Sequence, residues 1–373
     1  MATNKPVTNT DADAASDADP LARGIRALVE RTHSPRVIGP REGLGLFRLD
    51  YDEALFQRNY AEPVLVARTG RVGEKFPLAR AAGRLDVLGV DVVAACVNEL
   101  IAAGAEPLFF LPSLCAGELA PAEVADVIKG IAEGCSRAGC SLLEGGGIGG
   151  SMAGGSDDGG FALSGFAVGV VERRRLLDGA HARAGDVVIG LASEGLHGQG
   201  LSLARRTLPR DAGVSPALDM PAPSGNIDEK SAHNAGETPA SRDIVDELLR
   251  PTRIYVQSVL DVLGAYRVKR VVKAITNIAA GGLAGPWPRV LPAGLAVRLR
   301  RGSWDVPPIF QLIADRGQAD AIEMVNTFTM GIGLVIIVAP HFAKPVMARL
   351  RRHGERCGII GKLVKGDGGI EWT

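Results

Sequence analysis

An α/β (α+β) architecture of two domains is expected from three observations. Short apolar runs alternate along the chain with longer stretches whose apolar residues recur at helical spacing. The length of 373 residues suits two domains rather than one. The 48 glycines are nearly twice the usual share of about 7%. They follow no G-X-Y period, so they serve turns, close backbone approach or anion-binding loops rather than a fibre.

The elements follow in order. Residues 1–19 carry Asp11, Asp13, Asp17 and Asp19 among Ala, Thr and Asn, and read as a disordered tail. Leu21, Ile25, Leu28 and Val29 begin a helical pattern, and Pro63–Ala67 is a short buried strand. A glycine turn over 69–75 leads to a helix over Val92–Ala103, with Asp91 as its N-cap. Pro107–Leu111 is a second strand. Pro121–Arg137 is the clearest helix: proline sits in the first turn, and Val124, Val127, Ile128, Ile131 and Cys135 share one face. Phe161–Val171 and Val187–Leu191 read as strands. The charged run Glu172–Arg175 between them marks a boundary, giving domains 20–171 and 172–373. Proline-rich residues 209–241 read as a flexible insertion, too long for an ordinary connection. Asp243–Leu263, Pro308–Arg316 and Phe342–His353 read as helices, and Thr329–Val338 as a strand entered through Gly331 and Gly333.

Composition excludes several functions. With 42 basic and 42 acidic residues there is no cationic excess for bulk nucleic-acid binding. The runs Arg267–Arg270 and Arg298–Arg301 read as solvated faces. The five cysteines are odd in number and form no C-x-x-C pair, which argues against a disulfide framework and against zinc. Cys96, Cys115 and Cys135 are expected as small core residues. The N-terminus has no signal-peptide pattern and no apolar stretch reaches about 18 residues, so no membrane association and a cytoplasmic location are expected.

Four segments can carry chemistry. Thr69-Gly70-Arg71-Val72-Gly73-Glu74-Lys75 can present backbone N–H groups and one ammonium to a phosphate, or be an ordinary turn; it lacks the P-loop pattern. Asp91 and Asn98 stand two helical turns apart on one face, where they can hold hydrated Mg²⁺, unless Asp91 is only a cap. Glu144 to Ser151 is a glycine run that can wrap a ligand or simply be flexible. His197 lies between glycines ahead of a helix and can meet an anion or be structural.

Taken in order, these segments resemble the phosphoribosylformylglycinamidine cyclo-ligase (aminoimidazole ribonucleotide synthetase) family. The resemblance rests on GVDVVAACVNELIAAGAEPLFFL from Gly89, LRPTRIYV from Leu249, PRVLP from Pro288, Ser303-Trp304, Pro308-Ile309-Phe310 and TFTMGIG from Thr327. It spans roughly residues 25–365, with 209–241 inserted. It implies an N-terminal sheet shared across a homodimer barrel and a C-terminal ferredoxin-like α/β domain. It also implies ATP- and Mg²⁺-dependent closure of an imidazole ring on a small ribonucleotide. In that reaction ATP activates a formamide oxygen, and the oxygen leaves as phosphate. Carried over position by position, Thr69, Gly73, Lys75, Asp91 and Asn98 are the candidate nucleotide-binding residues. Asp91 and Glu99 are the metal candidates, and His197 and Lys75 the catalytic candidates.

The same motifs show where this chain departs. The family's T-D-G-V-G-T-K reads Thr69-Gly70-Arg71-Val72-Gly73-Glu74-Lys75 here, so an acid becomes Gly70. Both glutamates of G-G-E-T-A-E-M-P become glycine, at Gly146 and Gly149. H-I-T-G-G-G becomes Asn277-Ile278-Ala279-Ala280-Gly281-Gly282, and the S-N after His197 becomes Gly198-Gln199. Glycine coordinates no cation through a side chain, and each lost electrostatic group is worth about 10²–10³-fold in rate. Three readings follow: a working cyclo-ligase with a reorganised site, a non-catalytic paralogue that binds nucleotide or regulates the true enzyme, or a different ATP-using member of the same superfamily acting on another small substrate. Arg71 is a candidate to occupy the vacated metal space, or simply faces solvent.

Overall fold

The computed structural model describes residues 20–41, 44–47, 60–143, 160–207 and 239–373. The expected disordered tail, the glycine run from Glu144 and most of the proline-rich insertion lie outside the described residues. The insertion's last residues belong to a helix that begins at Pro239.

The first half opens with helix α1 (Pro20–Glu30) and a hairpin of β1 (Val37–Arg41) and β2 (Leu44–Phe47). Strand β3 (Pro63–Val72) leads through a turn into α2 (Phe76–Ala81) and α3 (Asp86–Ala102). Then come β4 (Glu106–Cys115), α4 (Pro121–Ala138), β5 (Ser141–Leu142) and β6 (Ala162–Glu172). The strands form one sheet in the order β3-β6-β4-β5, antiparallel except for the β4–β5 pair. α4 begins as expected: Pro121 stands in the first turn, and the Glu123 carboxylate accepts the Ala120 N–H at 2.8 Å. Its end is the αL residue Gly139.

Three readings change here. β3 continues five residues beyond Ala67, so Thr69–Val72 is not a turn but a strand paired with Leu163–Phe166; the turn is only Gly73–Lys75. α3 begins at Asp86, so Asp91 is not an N-cap but a buried residue of the helix interior. A helix buried on all sides has no apolar stripe to reveal its start. α3 crosses α4 at a pair of glycines: a Cβ on Gly89 would lie 2.2 Å from the Val127 carbonyl oxygen, and one on Gly130 1.8 Å from that of Asp86. Cys96 and Cys135 are core residues as expected, whereas Cys115 is only partly buried at the end of β4.

The second half contributes β7 (Val187–Ala192), α5 (Leu201–Thr207), α6 (Pro239–Leu248), α7 (Val256–Ala265), β8 (Val272–Asn277), α8 (Trp287–Val290) and β9 (Leu295–Leu299). It closes with α9 (Pro308–Gly317), α10 (Ala321–Thr327), β10 (Ile332–Val338), α11 (Ala343–Arg352), β11 (Cys357–Lys365) and β12 (Ile370–Trp372). Its sheet runs β12-β9-β11-β7-β10-β8 and is antiparallel apart from β12 on β9. The single helix expected over Asp243–Leu263 is two helices. Pro251 has no N–H to donate and pushes its predecessor out of the helical region. Residues 249–255 therefore run as an irregular segment between α6 and α7. α3 lies between the halves, packed on β3, β6 and α4 and touching β8. That places the 249–255 segment beside the polar side chains of α3.

Candidate functional site

A cleft of about 720 Å³ opens between the halves. Its walls are the end of β3 and the following turn (Arg68–Lys75), one side of α3, the start of β6, the His197 loop and the residues after β8 (Asn277–Ala280). Thr69, Gly73, Lys75, Asp91, Glu99 and His197 all line it; Asn98 does not. Its volume lies within the range of small-molecule sites.

Lys75 and Asp91 form a buried ion pair at 2.8 Å, each side chain 3% exposed. The Lys75 Nζ also donates to the Arg250 carbonyl at 2.8 Å. The other Asp91 oxygen accepts the Thr252 N–H at 2.6 Å. Asn98 clamps the same segment: its Nδ2 donates to the Arg253 carbonyl at 2.8 Å and its Oδ1 accepts the Tyr255 N–H at 3.1 Å. Glu99 accepts from Asn277 Nδ2 at 3.1 Å. Arg253, absent from the candidate set, ties the segment to the second half through Glu194 and through Glu355 at 2.8 Å. Only its place in the LRPTRIYV motif marked it in the sequence.

His197 is 3% exposed and has a left-handed backbone, φ 59°. Its Nε2 accepts the Glu194 N–H at 3.1 Å and the Arg253 N–H at 3.4 Å. Two donors on Nε2 leave the ring proton on Nδ1. Burial, reinforced by the Lys75 and Arg253 charges, pulls its pKa down to about 3. The imidazole is therefore neutral near pH 7, and its anion affinity there comes from hydrogen bonding rather than charge. The helix that follows starts only at Leu201.

Three arginines line the same cleft: Arg68, Arg71 and Arg205. The Arg71 guanidinium makes no hydrogen bond or ion pair among the described residues. Gly70, where the resembled family has an acid, faces α3. A Cβ there would stand 2.8 Å from Cys96 Sγ and 3.2 Å from the Ala95 methyl. Phe76 and Phe161 stack at the cleft wall with centroids 4.0 Å apart.

A divalent cation needs several free oxygen ligands. Here Asp91 is spent on an ammonium and a backbone N–H, and Glu99 on an amide. Among the described residues, Glu74 is the remaining carboxylate on the walls. No group of three His, Cys, Asp or Glu among the described residues can hold a metal. The described residues do not fit Mg²⁺. Beyond the paired Lys75, the cationic groups they offer on the cleft walls are the guanidinium groups of Arg68, Arg71 and Arg205.

Matches to two family models place this architecture of two α/β halves joined at a cleft in the AIR synthase class. Residues 53–171 match the family described as AIR synthase related protein, N-terminal domain, and residues 183–372 match its C-terminal domain. Within that class, the chain belongs to the phosphoribosylformylglycinamidine cyclo-ligase family of purine biosynthesis. It is 39% identical over 368 residues to the cyclo-ligase of Brevibacillus brevis, covering 97% of each chain. It is 40% identical over 369 residues to that of Geobacter metallireducens, covering 98% of each. Solved structures of the same fold include thiamine-monophosphate kinase from Stenotrophomonas maltophilia K279a, with TM-score 0.62, 18% identity and 94% and 95% coverage. Another is hydrogenase maturation protein HypE in complex with ATP, with TM-score 0.58, 14% identity and 98% and 93% coverage.

Proposed function

We propose that this chain is a homodimeric, cytoplasmic nucleotide-binding member of the cyclo-ligase family that does not run metal-assisted ring closure. In this reading it binds a nucleoside phosphate in the cleft and acts as a regulator or partner of a motif-complete relative. The observation that carries it is the state of the cleft's acids. Where the resembled family carries an acid, the cleft has Gly70, and Asp91 and Glu99 are already paired; Gly146 and Gly149, the other two such positions in the sequence, lie outside the described residues. ATP, when bound, supplies a transferable phosphoryl group, and that transfer depends on positive charge around the phosphates. In this cleft Arg68, Arg71 and Arg205 can bind the phosphates, Thr69 and Gly73 can position them, and Phe161 can exclude water beside them.

The dimer reading is supported by the outer face of the first sheet. Leu65 is 54% and Phe166 38% exposed there, beside Ala67 and the half-buried Phe109 and Leu111. An apolar sheet face of this kind calls for a cover, and a second copy of the same face supplies one.

The test is incubation with the formylglycinamidine ribonucleotide, ATP and Mg²⁺, with calorimetric titration of ATP alongside. The expected result is no ADP above blank, with saturable ATP binding that persists in EDTA and weakens at least tenfold in Arg71→Ala. Steady ADP and aminoimidazole ribonucleotide formation overturns it. That outcome would establish the second reading, a working cyclo-ligase, which the 39–40% identity over nearly the whole chain favours.

A further inference from the structure

Two basic runs that read separately as a domain boundary and a solvated face, Arg173–Arg175 and Arg267–Arg270, meet across one cavity. The first ends β6 in the first half; the second joins α7 to β8 in the second half. They enclose about 400 Å³. Among the described residues, Arg174, Arg175, Arg267, Lys269 and Arg270 line this space, against one carboxylate, Glu172. One oxygen of that carboxylate is committed, accepting the Ala61 and Glu62 N–H groups at 2.8 and 3.2 Å. Its other oxygen stands 3.7 Å from Arg174 Nε. Arg175, Arg267, Lys269 and Arg270 make no ion pair among the described residues. The runs are also linked directly, the Arg270 guanidinium donating to the Arg174 carbonyl.

In a chain of zero formal net charge, this concentration is local, and among the described residues it outnumbers the facing carboxylate. Like charges gathered in a concavity with low-dielectric walls focus the field and draw in an anion. Leu177, Leu263, Val271 and Val272 supply those walls, and Tyr60 and Tyr266 border them. The volume suits a small molecule rather than a nucleic-acid duplex.

We propose that this groove is a second binding site, for a small ligand carrying two or more phosphates. It is separate from the cleft. The cleft takes in Phe161–Leu163 at the start of β6, and the groove Val171 and Glu172 at its end. Eight residues of strand separate Leu163 from Val171, about 26 Å at roughly 3.3 Å per residue. β8 likewise runs from the groove at Val272 to the cleft at Asn277. A ligand bridging the two runs joins the halves at the end opposite the cleft, and so bears on how far the cleft opens.

The test uses the full chain carrying Arg71→Ala, which weakens the cleft. Inorganic pyrophosphate, ATP and AMP are titrated separately in EDTA, and acetylation of lysines is read by mass spectrometry. Pyrophosphate is expected to protect Lys269 but not the exposed Lys344 of α11. Arg267→Ala/Arg270→Ala is expected to lower pyrophosphate affinity at least tenfold, with any fall in thermal midpoint limited to the loss of the exposed Arg270–Arg174 hydrogen bond. Equal protection by pyrophosphate and ATP assigns recognition to the phosphates; stronger protection by ATP adds the tyrosine-bordered wall. No protection of Lys269 by millimolar pyrophosphate, or unchanged affinity in the double variant, overturns the proposal.

Discussion

The buried Lys75–Asp91 pair gives the sharpest test of how the halves are joined. Lys75→Met keeps the length of the side chain and removes its ammonium. The Asp91 carboxylate, 3% exposed, then keeps only the Thr252 N–H, and the Arg250 carbonyl loses its donor. An uncompensated buried charge costs about 3–5 kcal/mol. Asp91→Asn strands the ammonium instead and carries a similar cost. The double variant Lys75→Met/Asp91→Asn holds no buried charge and still offers an amide oxygen to Thr252, so it should lose only about 1–3 kcal/mol. The singles therefore sum to far more than the double, with a coupling of about 2 kcal/mol or more. The assay is urea unfolding followed by circular dichroism and by fluorescence; Trp287, Trp304 and Trp372 all report on the second half. Single variants that each cost under about 1 kcal/mol, or that add without coupling, would refute the reasoning. Adding Mg²⁺ should leave the wild-type midpoint unmoved.

Three other perturbations have defined outcomes. His197 has a folded-state pKa of about 3 against an ordinary 6.5, so the stability it confers is complete above pH 6.5 and lost as pH falls toward 3. His197→Asn should remove that loss and flatten the pH 6.5-to-5 stability difference by about 2 kcal/mol; an unchanged slope counts against it. A Cβ at Gly333 would lie 2.1 Å from the Tyr255 hydroxyl and 2.6 Å from His197 Cε1. Gly333→Ala should thus cost about 1–3 kcal/mol and weaken ligand binding in the cleft, read by thermal unfolding and calorimetry. Phe166→Glu places a charge on the open sheet face and should yield monomers in light scattering, whereas a dimer of unchanged affinity would rule that face out.

The sequence made the outer, amphipathic elements legible and hid where the central one begins. α4 announced itself through Pro121, Glu123 and a single apolar face. α3 is apolar on every side, so Asp91 looked like the first polar residue before a helix when it is a polar residue inside one. The split at Pro251 was visible as a proline but was overridden by the apolar pattern running from Asp243 to Leu263. The cleft's membership was largely readable from motif order, since Thr69, Gly73, Lys75, Asp91, Glu99 and His197 all reach it. What each group touches was not. The partners of Lys75 and Asp91 at Arg250 and Thr252 are more than 150 residues away in the chain. They are main-chain atoms, which leave no trace in residue identity.

That last point bears on how such a protein changes over time. Lys75, Asp91 and Asn98 all hold the backbone of residues 250–255 rather than its side chains. A mutation within that segment leaves their partners in place, but a mutation of the three themselves unmoors one half of the molecule from the other. A side chain whose sole duty is to a ligand has no such tie to the architecture. Lys75, Asp91 and Asn98 have one, so a substitution at any of them acts on the joint between the halves as well as on whatever the cleft holds.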